Sequence, residues 1–144
     1  MTLEEVRKQF PEAETFTFGD TQDLSELLLE LVREGRKTAT CGALRDYYEG
    51  EIQDGKEAFP VIGRRDIALN WSGEPALVIE TTEVTVRRFC EVDVEFALAE
   101  GEDDSLEGWR NGHRAFFERN GGWSPEMKLV CERFKLIRDF GLPT

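Results

Sequence analysis

The stretch ALVIETTEVTVRR, residues 76–88, is the feature that decides the fold. Its Val, Ile and Thr residues favour extended backbone, so we predict one long β-strand here. The residues SGEP at 72–75 form a turn signal, which joins this strand to a second extended segment at residues 66–71. Extended patterns at residues 58–63 and 128–138 predict further strands. A sheet is therefore expected to form around residues 76–88.

Helical patterns flank these strands. A capping residue, an acidic first turn and a leucine stripe predict a helix from residue 21 or 23 to residue 34, ended by Gly35. The short apolar and acidic stretch at residues 92–99 is also predicted to be helical. Ser105 is the expected cap of a third helix, whose apolar residues recur at helical spacing: Leu106, Trp109, His113, Phe116 and Phe117. This order of elements predicts an α+β domain built around an antiparallel sheet or barrel.

Length and composition indicate one globular domain. The chain has 144 residues, of which 33% are charged and 40% hydrophobic. No run approaches the roughly 18–20 apolar residues that span a bilayer. Residues 1–10 lack the apolar core and cleavage site of a secretory signal. We therefore predict no membrane association and a cytoplasmic location.

The charge distribution limits the expected partners. A net charge of −12, from 18 basic and 30 acidic side chains, repels polyanions at long range, so duplex DNA is not an expected partner. Residues 91–107 contain many acids and no base, whereas Arg33, Arg36, Lys37 and Arg45 are close in sequence. A basic pocket on an acidic body suits a small anionic ligand, a nucleotide or a short single strand. The alternative is that these bases pair with the surplus acids.

Two distant segments contain the residue types that catalysis requires. GRKTATC, residues 35–41, places a cation and hydroxyls on a turn-like segment, and EGEDD, residues 100–104, is an acidic run before the last helix. If they meet in space, they supply a nucleophile, a base and a carboxylate. The cysteines have no metal-ligand spacing and are expected to be reduced thiols: Cys41, Cys90 and Cys131. With a single histidine in the sequence, we expect neither a metal site nor a cofactor.

Several ordered motifs resemble one family. GRKTAT follows a helix, PVIG precedes a strand at residues 60–63, and IETT, AEGE and WRNGH follow at residues 79–82, 99–102 and 109–113. Over roughly residues 16–140 these resemble the ASCH (activating signal cointegrator homology) domain. The resemblance implies that residues 1–144 form one such domain, with a PUA-like antiparallel β-barrel, flanking helices and a cleft between them. It also implies binding of RNA or modified nucleosides. Some members resemble hydrolases of acetylated cytidine, and others resemble ribonucleases.

The resemblance to the hydrolases implies a catalytic Lys37, a nucleophilic Thr40 and an acidic Glu102. A threonine hydroxyl needs an adjacent base, and a lysine serves as one only if its pKa is lowered. Arg36 would lower the pKa of Lys37, whereas Glu102 would favour the charged form. In a regular strand Lys37 and Thr40 would point to opposite faces, so the site requires a turn or bulge between them. The alternative is a solvated lysine, a strand threonine and an acid at a helix start. Cys41 is an alternative nucleophile, although a small packed side chain is its more ordinary role.

Aromatic and basic residues around the expected cleft predict ligand contacts by stacking on a base or by meeting phosphate. These residues are Arg36, Arg45, Tyr47, Trp71, Trp109, Arg110 and His113. Trp109 also fits a buried helix face, and His113 also fits a structural role. Two classes of function stay open: a metal-independent hydrolase acting on a nucleoside or RNA, and a non-catalytic RNA- or nucleotide-binding module. Catalysis requires Lys37, Thr40 and Glu102 to lie close together, whereas binding requires only accessible aromatic and basic groups.

Overall fold

The computed structural model describes residues 1–140. In that part of the chain four α-helices accompany seven β-strands and two 3-10 turns, Leu44–Asp46 and Phe89–Glu91. The helices are α1 (Leu3–Gln9), α2 (Gln22–Arg33), α3 (Val94–Ala99) and α4 (Leu106–Arg119). The strands are β1 (Glu14–Thr17), β2 (Ala39–Ala43), β3 (Tyr47–Tyr48), β4 (Glu57–Ala58), β5 (Arg65–Leu69), β6 (Pro75–Arg88) and β7 (Lys128–Asp139). None of the helices within residues 1–140 is long and apolar enough to cross a membrane.

The long strands β6 and β7 organise a five-stranded sheet with the order β1-β5-β6-β7-β2. β1 runs parallel to β5, and all other neighbours in this sheet are antiparallel. The pairing of β6 with β7 shifts register at Val78/Ile79 and again at Thr81/Glu83. Such irregularities bend long strands. The mixed sheet curls into a half-barrel with flanking helices, which confirms the predicted α+β architecture.

Local sequence signals define the ends of both long helices. The hydroxyl of Thr21 accepts a hydrogen bond from Leu24 N at 3.2 Å at the start of α2. The hydroxyl of Ser105 accepts one from Gly108 N at 3.0 Å at the start of α4. A side chain that satisfies a free N–H in this way stabilises a helix by about 1 kcal/mol. Both predicted helix starts are therefore confirmed.

One predicted strand is shorter than expected. Of the extended segment predicted at residues 58–63, only Ala58 belongs to a strand, β4. The residues that follow form a turn, which the hydrogen bond from Arg64 N to Val61 O at 3.0 Å closes. Pro60 has no N–H to offer to a ladder, which also disfavours a strand. The predictions for residues 66–71, 76–88 and 128–138 are confirmed as β5, β6 and β7 within one or two residues at most ends.

Apolar side chains pack on both faces of the sheet. α2 packs against one face through a cluster that includes Leu28, Ile79 and Phe134. α3 and α4 cover the other face through a second cluster that includes Trp109 and Cys131. Phe134 and Cys131 are both on β7 and point to opposite faces, as an odd spacing requires. The turn from α2 into β2 lies between these two clusters, and the candidate site forms there.

Candidate functional site

The connection between α2 and β2 turns sharply and directs Lys37 into the protein. The N–H groups of Gly35 and Arg36 donate back to carbonyls in the last turns of α2, at 3.0 and 2.9 Å, in the pattern of a Schellman helix end. β2 begins only at Ala39, so Lys37 precedes the strand. Because Lys37 lies outside the strand, the alternation of side chains along a strand does not force Lys37 and Thr40 onto opposite faces. The turn that a shared site requires is therefore present.

The ammonium group of Lys37 is enclosed and paired with two carboxylates. The residue is 1% exposed, and Nζ donates to the backbone carbonyl of Ala39 at 2.8 Å. It also donates to Glu100 Oε1 at 3.2 Å and to Glu102 Oε2 at 3.0 Å. The backbone carbonyl of Glu100 is a fourth acceptor at 3.4 Å, so these groups engage all three N–H donors of the ammonium. Lys37 is therefore a fixed, buried cation.

Glu100 is the centre of this network, and sequence reasoning did not single it out. It is 1% exposed, and its Oε2 accepts a hydrogen bond from Trp109 Nε1 at 2.7 Å. The same oxygen lies 3.4 Å from His113 Nε2. Glu100 is also the C-cap of α3, where a negative charge opposes the helix dipole. That local conflict is the sequence signal that points to a role beyond helix stability.

His113 faces both carboxylates. Its ring stacks on Trp109 with centroids 4.3 Å apart, and Nδ1 lies 3.0 Å from Trp109 O. A carbonyl only accepts, so the hydrogen-bond network assigns a proton to Nδ1. Nε2 then lies 3.4 Å from Glu100 Oε2 and 4.0 Å from Glu102 Oε2. Both oxygens favour a proton on Nε2 as well, so the surroundings of His113 suit an imidazolium.

Burial and ion pairing oppose one another in this network. Burial lowers the pKa of Lys37, but Glu100 and Glu102 outweigh it, and the net pKa is raised. Burial likewise lowers the pKa of His113, and the same carboxylates raise it above its ordinary value. Burial raises the pKa of Glu100, yet Lys37 and His113 hold it below the usual range. The pKa of Glu102 is raised, chiefly by burial. Glu102 is therefore the carboxyl group that takes up a proton more readily.

Gly101 allows the turn carrying both acids to approach Lys37. Its φ is +74°, in the left-handed region, and a Cβ atom there would collide with the carbonyl group of Arg36. Beside it, Thr38 N donates to Ala99 O at 2.8 Å. Backbone and side-chain hydrogen bonds therefore join the two segments that carry the candidate catalytic residues, 35–41 and 100–104.

A cavity of 260 Å³ opens beside the network, and we call it the Lys37 cavity. Lys37, Thr40, Glu102 and His113 contribute to its polar wall. Its apolar wall includes Phe18, Leu24, Leu28, Phe116 and Phe117. The structure therefore brings Lys37, Thr40 and Glu102 to one cavity. Among the described residues, no hydrogen bond joins the hydroxyl of Thr40 to either of the other two.

A second cavity of 360 Å³ lies in the half-barrel, and we call it the acidic chamber because Glu57, Asp66 and Glu132 line it. Thr40 lines both cavities, so they adjoin. Tyr47, one of the predicted ligand contacts, lies in this chamber, where burial raises the pKa of its phenol well above the usual value. The predicted cleft is therefore divided into two neighbouring spaces.

Five predicted ligand contacts line neither cavity. Trp109 is 0% exposed, and its indole N–H donates within the buried network, so its ring is not free to stack on a ligand. Trp71 lies in the turn between β5 and β6. Arg45 donates to two backbone carbonyls that follow α4. Arg36 and Arg110 are exposed on the surface outside the cavities.

Much of the positive charge is neutralised locally. Salt bridges join Arg33 to Asp139, Arg64 to Asp66, Arg119 to Asp20 and Arg133 to Glu83. For these four arginines, the structure supports the alternative that basic side chains pair with the surplus acids. A long polyanion would have to compete with those acids for each of them.

Cys41, Glu100 and His113 come from three different elements and offer ligand atoms within 4.8 Å of one another. Thiolate, carboxylate and imidazole are zinc ligands. However, Glu100 is engaged on both oxygens, and burial and Glu100 raise the pKa of the Cys41 thiol well above its usual value. A metal ion would also lie beside the Lys37 ammonium. These residues fit a charge-balanced network better than a metal centre, and a metal-free site stays a prediction.

Comparison with known proteins identifies the family. The ASCH domain model matches residues 14–138. An ASCH domain from Lactobacillus crispatus JV V101 is 30% identical, with a TM-score of 0.75 over 92% of this chain and 84% of that chain. A protein from Enterococcus faecalis V583, assigned to the DUF984 family model, is 28% identical, with a TM-score of 0.74 over 93% and 84%. An ASCH protein from Zymomonas mobilis, 10% identical with a TM-score of 0.50 over 90% and 72%, shares the fold alone. No curated protein sequence matches the chain significantly.

The chain belongs to the ASCH domain family. This confirms the PUA-like fold that the sequence motifs implied.

Proposed function

We propose that this ASCH domain binds a nucleoside, either free or as one unit of a short single-stranded RNA, in the Lys37 cavity. RNA binding is general in the family, which supports a ligand of this class. The observation that carries the proposal is the enclosed network of Lys37, Glu100, Glu102 and His113 at the wall of a cavity. A few fixed polar groups in a largely apolar hollow are the usual architecture of a small-molecule site.

Glu102 and Thr40 are the groups best suited to meet the edge of a base. The side chain of Glu102 is 19% exposed, whereas those of Lys37 and Glu100 are 0% and 1% exposed. A carboxylate accepts hydrogen bonds and a protonated carboxyl also donates one, while a hydroxyl does both. Nucleobase edges present a mixture of donors and acceptors. This pair can therefore match such an edge while Lys37 and His113 hold Glu102 in place.

The apolar wall suits the face of a base. Phe18, Phe116 and Phe117 line the Lys37 cavity. Stacking of a base on an aromatic side chain is worth about 1–3 kcal/mol and tolerates any base. Aromatic rings in the wall therefore supply affinity, and the polar wall supplies selectivity.

The surface favours a small or single-stranded ligand over a duplex. The net charge is −12, and the salt-bridged arginines described above already have acidic partners. A nucleoside inside a cavity needs few phosphate contacts. We therefore expect weak, salt-sensitive binding of short single strands and almost none of duplex DNA.

Hydrolysis of an amide on the nucleoside, such as the acetyl group of acetylated cytidine, is a second candidate function. The favouring observation is that Lys37, Thr40 and Glu102 line one cavity. The raised pKa of Lys37 argues against its use as the base, because its ion pairs retain its proton. In this mechanism the Thr40 hydroxyl attacks the amide carbon and gives its proton to Glu102, while the Lys37 cation stabilises the negative charge on the carbonyl oxygen. The C–N bond then breaks as Glu102 returns the proton to the leaving amine, and water hydrolyses the acetyl ester of Thr40 to acetate and the free hydroxyl.

Calorimetric titration with cytidine, uridine, adenosine, guanosine and N4-acetylcytidine tests the binding proposal. Thr40→Val and Glu102→Gln should each raise the dissociation constant of the tightest-binding nucleoside at least about tenfold. A change of this size corresponds to the loss of one good hydrogen bond to a charged or buried group. Arg110→Gln, on the exposed surface, is the control and should bind as the wild type does. A protein that binds none of the five at millimolar concentration would contradict the proposal.

Product analysis of the same mixtures, with EDTA present, separates the two functions. Acetate released by the wild type and not by Thr40→Val supports the hydrolase. Shortened products from a single-stranded RNA would instead favour the ribonuclease alternative. Binding without any product would identify a binding module.

A further inference from the structure

The acidic chamber has an unusual balance of charge for an enclosed space. Five carboxylates line it, from Glu14, Asp46, Glu57, Asp66 and Glu132. Two bases line it, Lys56 and Arg64. The arginine is committed to Asp66, whose Oδ2 accepts hydrogen bonds from Arg64 Nε at 3.2 Å and Nη2 at 3.0 Å. Of the five acids only Asp66 and Glu132 are buried, and among the described residues no salt bridge neutralises Glu132.

Glu132 is the buried acid of the chamber that has no salt bridge among the described residues. It lies on β7 opposite Thr40, and it is only 9% exposed. Its Oε2 accepts one hydrogen bond, from the hydroxyl of Thr81 at 3.0 Å. Among the described residues, its Oε1 accepts none. Such a buried carboxyl is normally paired or bonded on both oxygens, so this one is available to a donor in the chamber.

Asp66, which also lines the chamber, has a second acceptor that is not used. The residue is 5% exposed, and its Oδ1 is buried without a hydrogen-bond partner among the described residues. Two buried side chains thus each have an unused carboxylate oxygen at one cavity. An unmade hydrogen bond of this kind costs a protein stability, and it is commonly explained by a ligand or water that completes it.

The protonation of Glu132 reflects this lack of a cation. Burial is the main cause that raises the pKa of Glu132 to about 7, and Asp66 and Glu57 add to it, while Thr81 and Arg64 oppose it. Burial also raises the pKa of Asp66. In the absence of a cation, the chamber limits its charge by retaining protons.

The spacing of the acids suits an organic cation better than a metal ion. Within residues 1–140, the only gathering of three or more His, Cys, Asp or Glu ligand atoms close enough for a metal is the one around Cys41. The chamber's acids are spread around a volume of 360 Å³, with Phe16, Tyr47 and Tyr48 among the lining residues. Aromatic faces attract organic cations, and carboxylates accept their N–H bonds.

We propose that the acidic chamber binds the ammonium or amidinium group of an organic ligand, with Glu132 and Asp66 as the accepting carboxylates. The group belongs either to a free small amine or to the basic substituent of a modified nucleoside whose base lies in the adjoining Lys37 cavity. Only the second source rests on the proposed function. Because a bound cation favours ionised Glu132, binding near pH 7 releases a proton.

Calorimetry with matched pairs of probes tests this proposal and distinguishes the sources. One pair is 1,4-diaminobutane and 1,4-butanediol, and the other is 5-aminoallyluridine and uridine. In each pair the amine is the cation and its partner is the neutral control. Tighter binding of the diamine than of the diol, by at least tenfold, supports a free amine. The same preference for aminoallyluridine over uridine, without binding of the diamine, supports a modified nucleoside.

The response of Glu132 gives the decisive readout. At pH 7 the heat of amine binding should depend on the ionisation enthalpy of the buffer, which reports a released proton, and Glu132→Gln should remove that dependence and weaken binding at least tenfold. Glu12→Gln, at an exposed position outside the chamber, is the matched control and should behave as wild type. Thermal unfolding of both variants checks that they fold.

Three results would overturn the proposal. They are equal binding of amines and their neutral partners, displacement of the amine by millimolar Ca²⁺, and unchanged amine binding in Glu132→Gln. None of them affects the test of the Lys37 cavity, because that test uses uncharged nucleosides, and its Glu102→Gln variant changes a residue that lines only the Lys37 cavity. Failure of one proposal is therefore distinguishable from failure of the other.

Discussion

Lys37 and Glu100, 63 residues apart in sequence, form a 3.2 Å ion pair whose side chains are 0% and 1% exposed. Removing two charges from water is unfavourable, so the pair persists only because further hydrogen bonds complete it. Trp109 supplies one to Glu100, and Glu102 accepts another from Lys37. This pair fixes the position of the end of α3 relative to the start of β2, and it thereby shapes the Lys37 cavity.

Breaking this pair from one side should destabilise the protein strongly. Glu100→Gln leaves a buried ammonium with less compensation, and we expect a loss of about 3 kcal/mol in the free energy of unfolding, measured with urea. The double variant Lys37→Met/Glu100→Leu should lose less than the sum of its single variants, since no uncompensated charge remains. Arg36→Gln, at the exposed neighbour, is the control and should change stability by less than about 0.5 kcal/mol. If the loss of unfolding free energy in the double variant equalled the sum of the two single losses, Lys37 and Glu100 would not be energetically coupled.

His113 should titrate above its ordinary pKa of 6.5, because Glu100 and Glu102 outweigh the effect of burial. It is the sole histidine of the sequence, so its ring-proton NMR signal is unambiguous. A raised pKa in the folded state means that His113 stabilises the fold below pH 6.5 and that this contribution is lost as the pH rises through the folded value. Glu100→Gln should lower the midpoint. A midpoint at or below 6.5 in the wild type would contradict this electrostatic account.

Gly101 and Gly112 provide a matched pair of substitutions. Gly101→Ala places a Cβ against the Arg36 carbonyl at a left-handed φ, so we expect a loss of more than 1 kcal/mol and a disturbed Lys37 cavity. Gly112 lies inside α4 with nothing within 4 Å of an added Cβ. Gly112→Ala should therefore gain about 0.5–1 kcal/mol from helix propensity. Denaturant unfolding compares the two, and equal effects would show that the close approach at Gly101 is unimportant.

Glu132 should make stability fall as the pH rises. The folded protein holds a proton that the unfolded chain releases between pH 4.5 and about 7, so stability decreases through that window. Glu132→Gln lacks this penalty and should be more stable than wild type by about 3 kcal/mol at pH 8 but by less than about 1 kcal/mol at pH 5. Glu12→Gln, at an exposed position, is the control in the same unfolding experiments. A constant difference between wild type and Glu132→Gln would mean that Glu132 ionises normally in the folded state.

The long elements could be predicted from the sequence because their signals are local. The β-branched run of β6, the caps at Thr21 and Ser105 and the leucine stripe of α2 all act within a few residues. β1 and β2 are short, and they exist because distant strands pair with them. Pairing of that kind leaves no local pattern, so sequence reasoning missed both strands and the parallel arrangement of β1 with β5.

The candidate site was predictable only in part for the same reason. The resemblance pointed to Lys37, Thr40 and Glu102, and these residues do line one cavity. Glu100 could not be distinguished from the other acids of residues 100–104, because the interaction energy of a carboxylate depends on which cation lies near it in the folded chain. Trp109 was expected to contact a ligand, yet its spacing on α4 already fitted the buried face that it occupies. Glu132 gave no signal, since an acid within a strand usually faces solvent.

The most direct test of the account is an NMR titration of His113 with nucleosides, because its ring lines the Lys37 cavity. We predict that at least one of cytidine, uridine, adenosine, guanosine or N4-acetylcytidine shifts the ring-proton signals in a saturable way. Thr40→Val should weaken that response at least about tenfold, and Arg110→Gln should leave it unchanged. Signals that do not move at millimolar nucleoside, while calorimetry detects binding, would place the ligand elsewhere and contradict the claim that the Lys37 cavity is the nucleoside site.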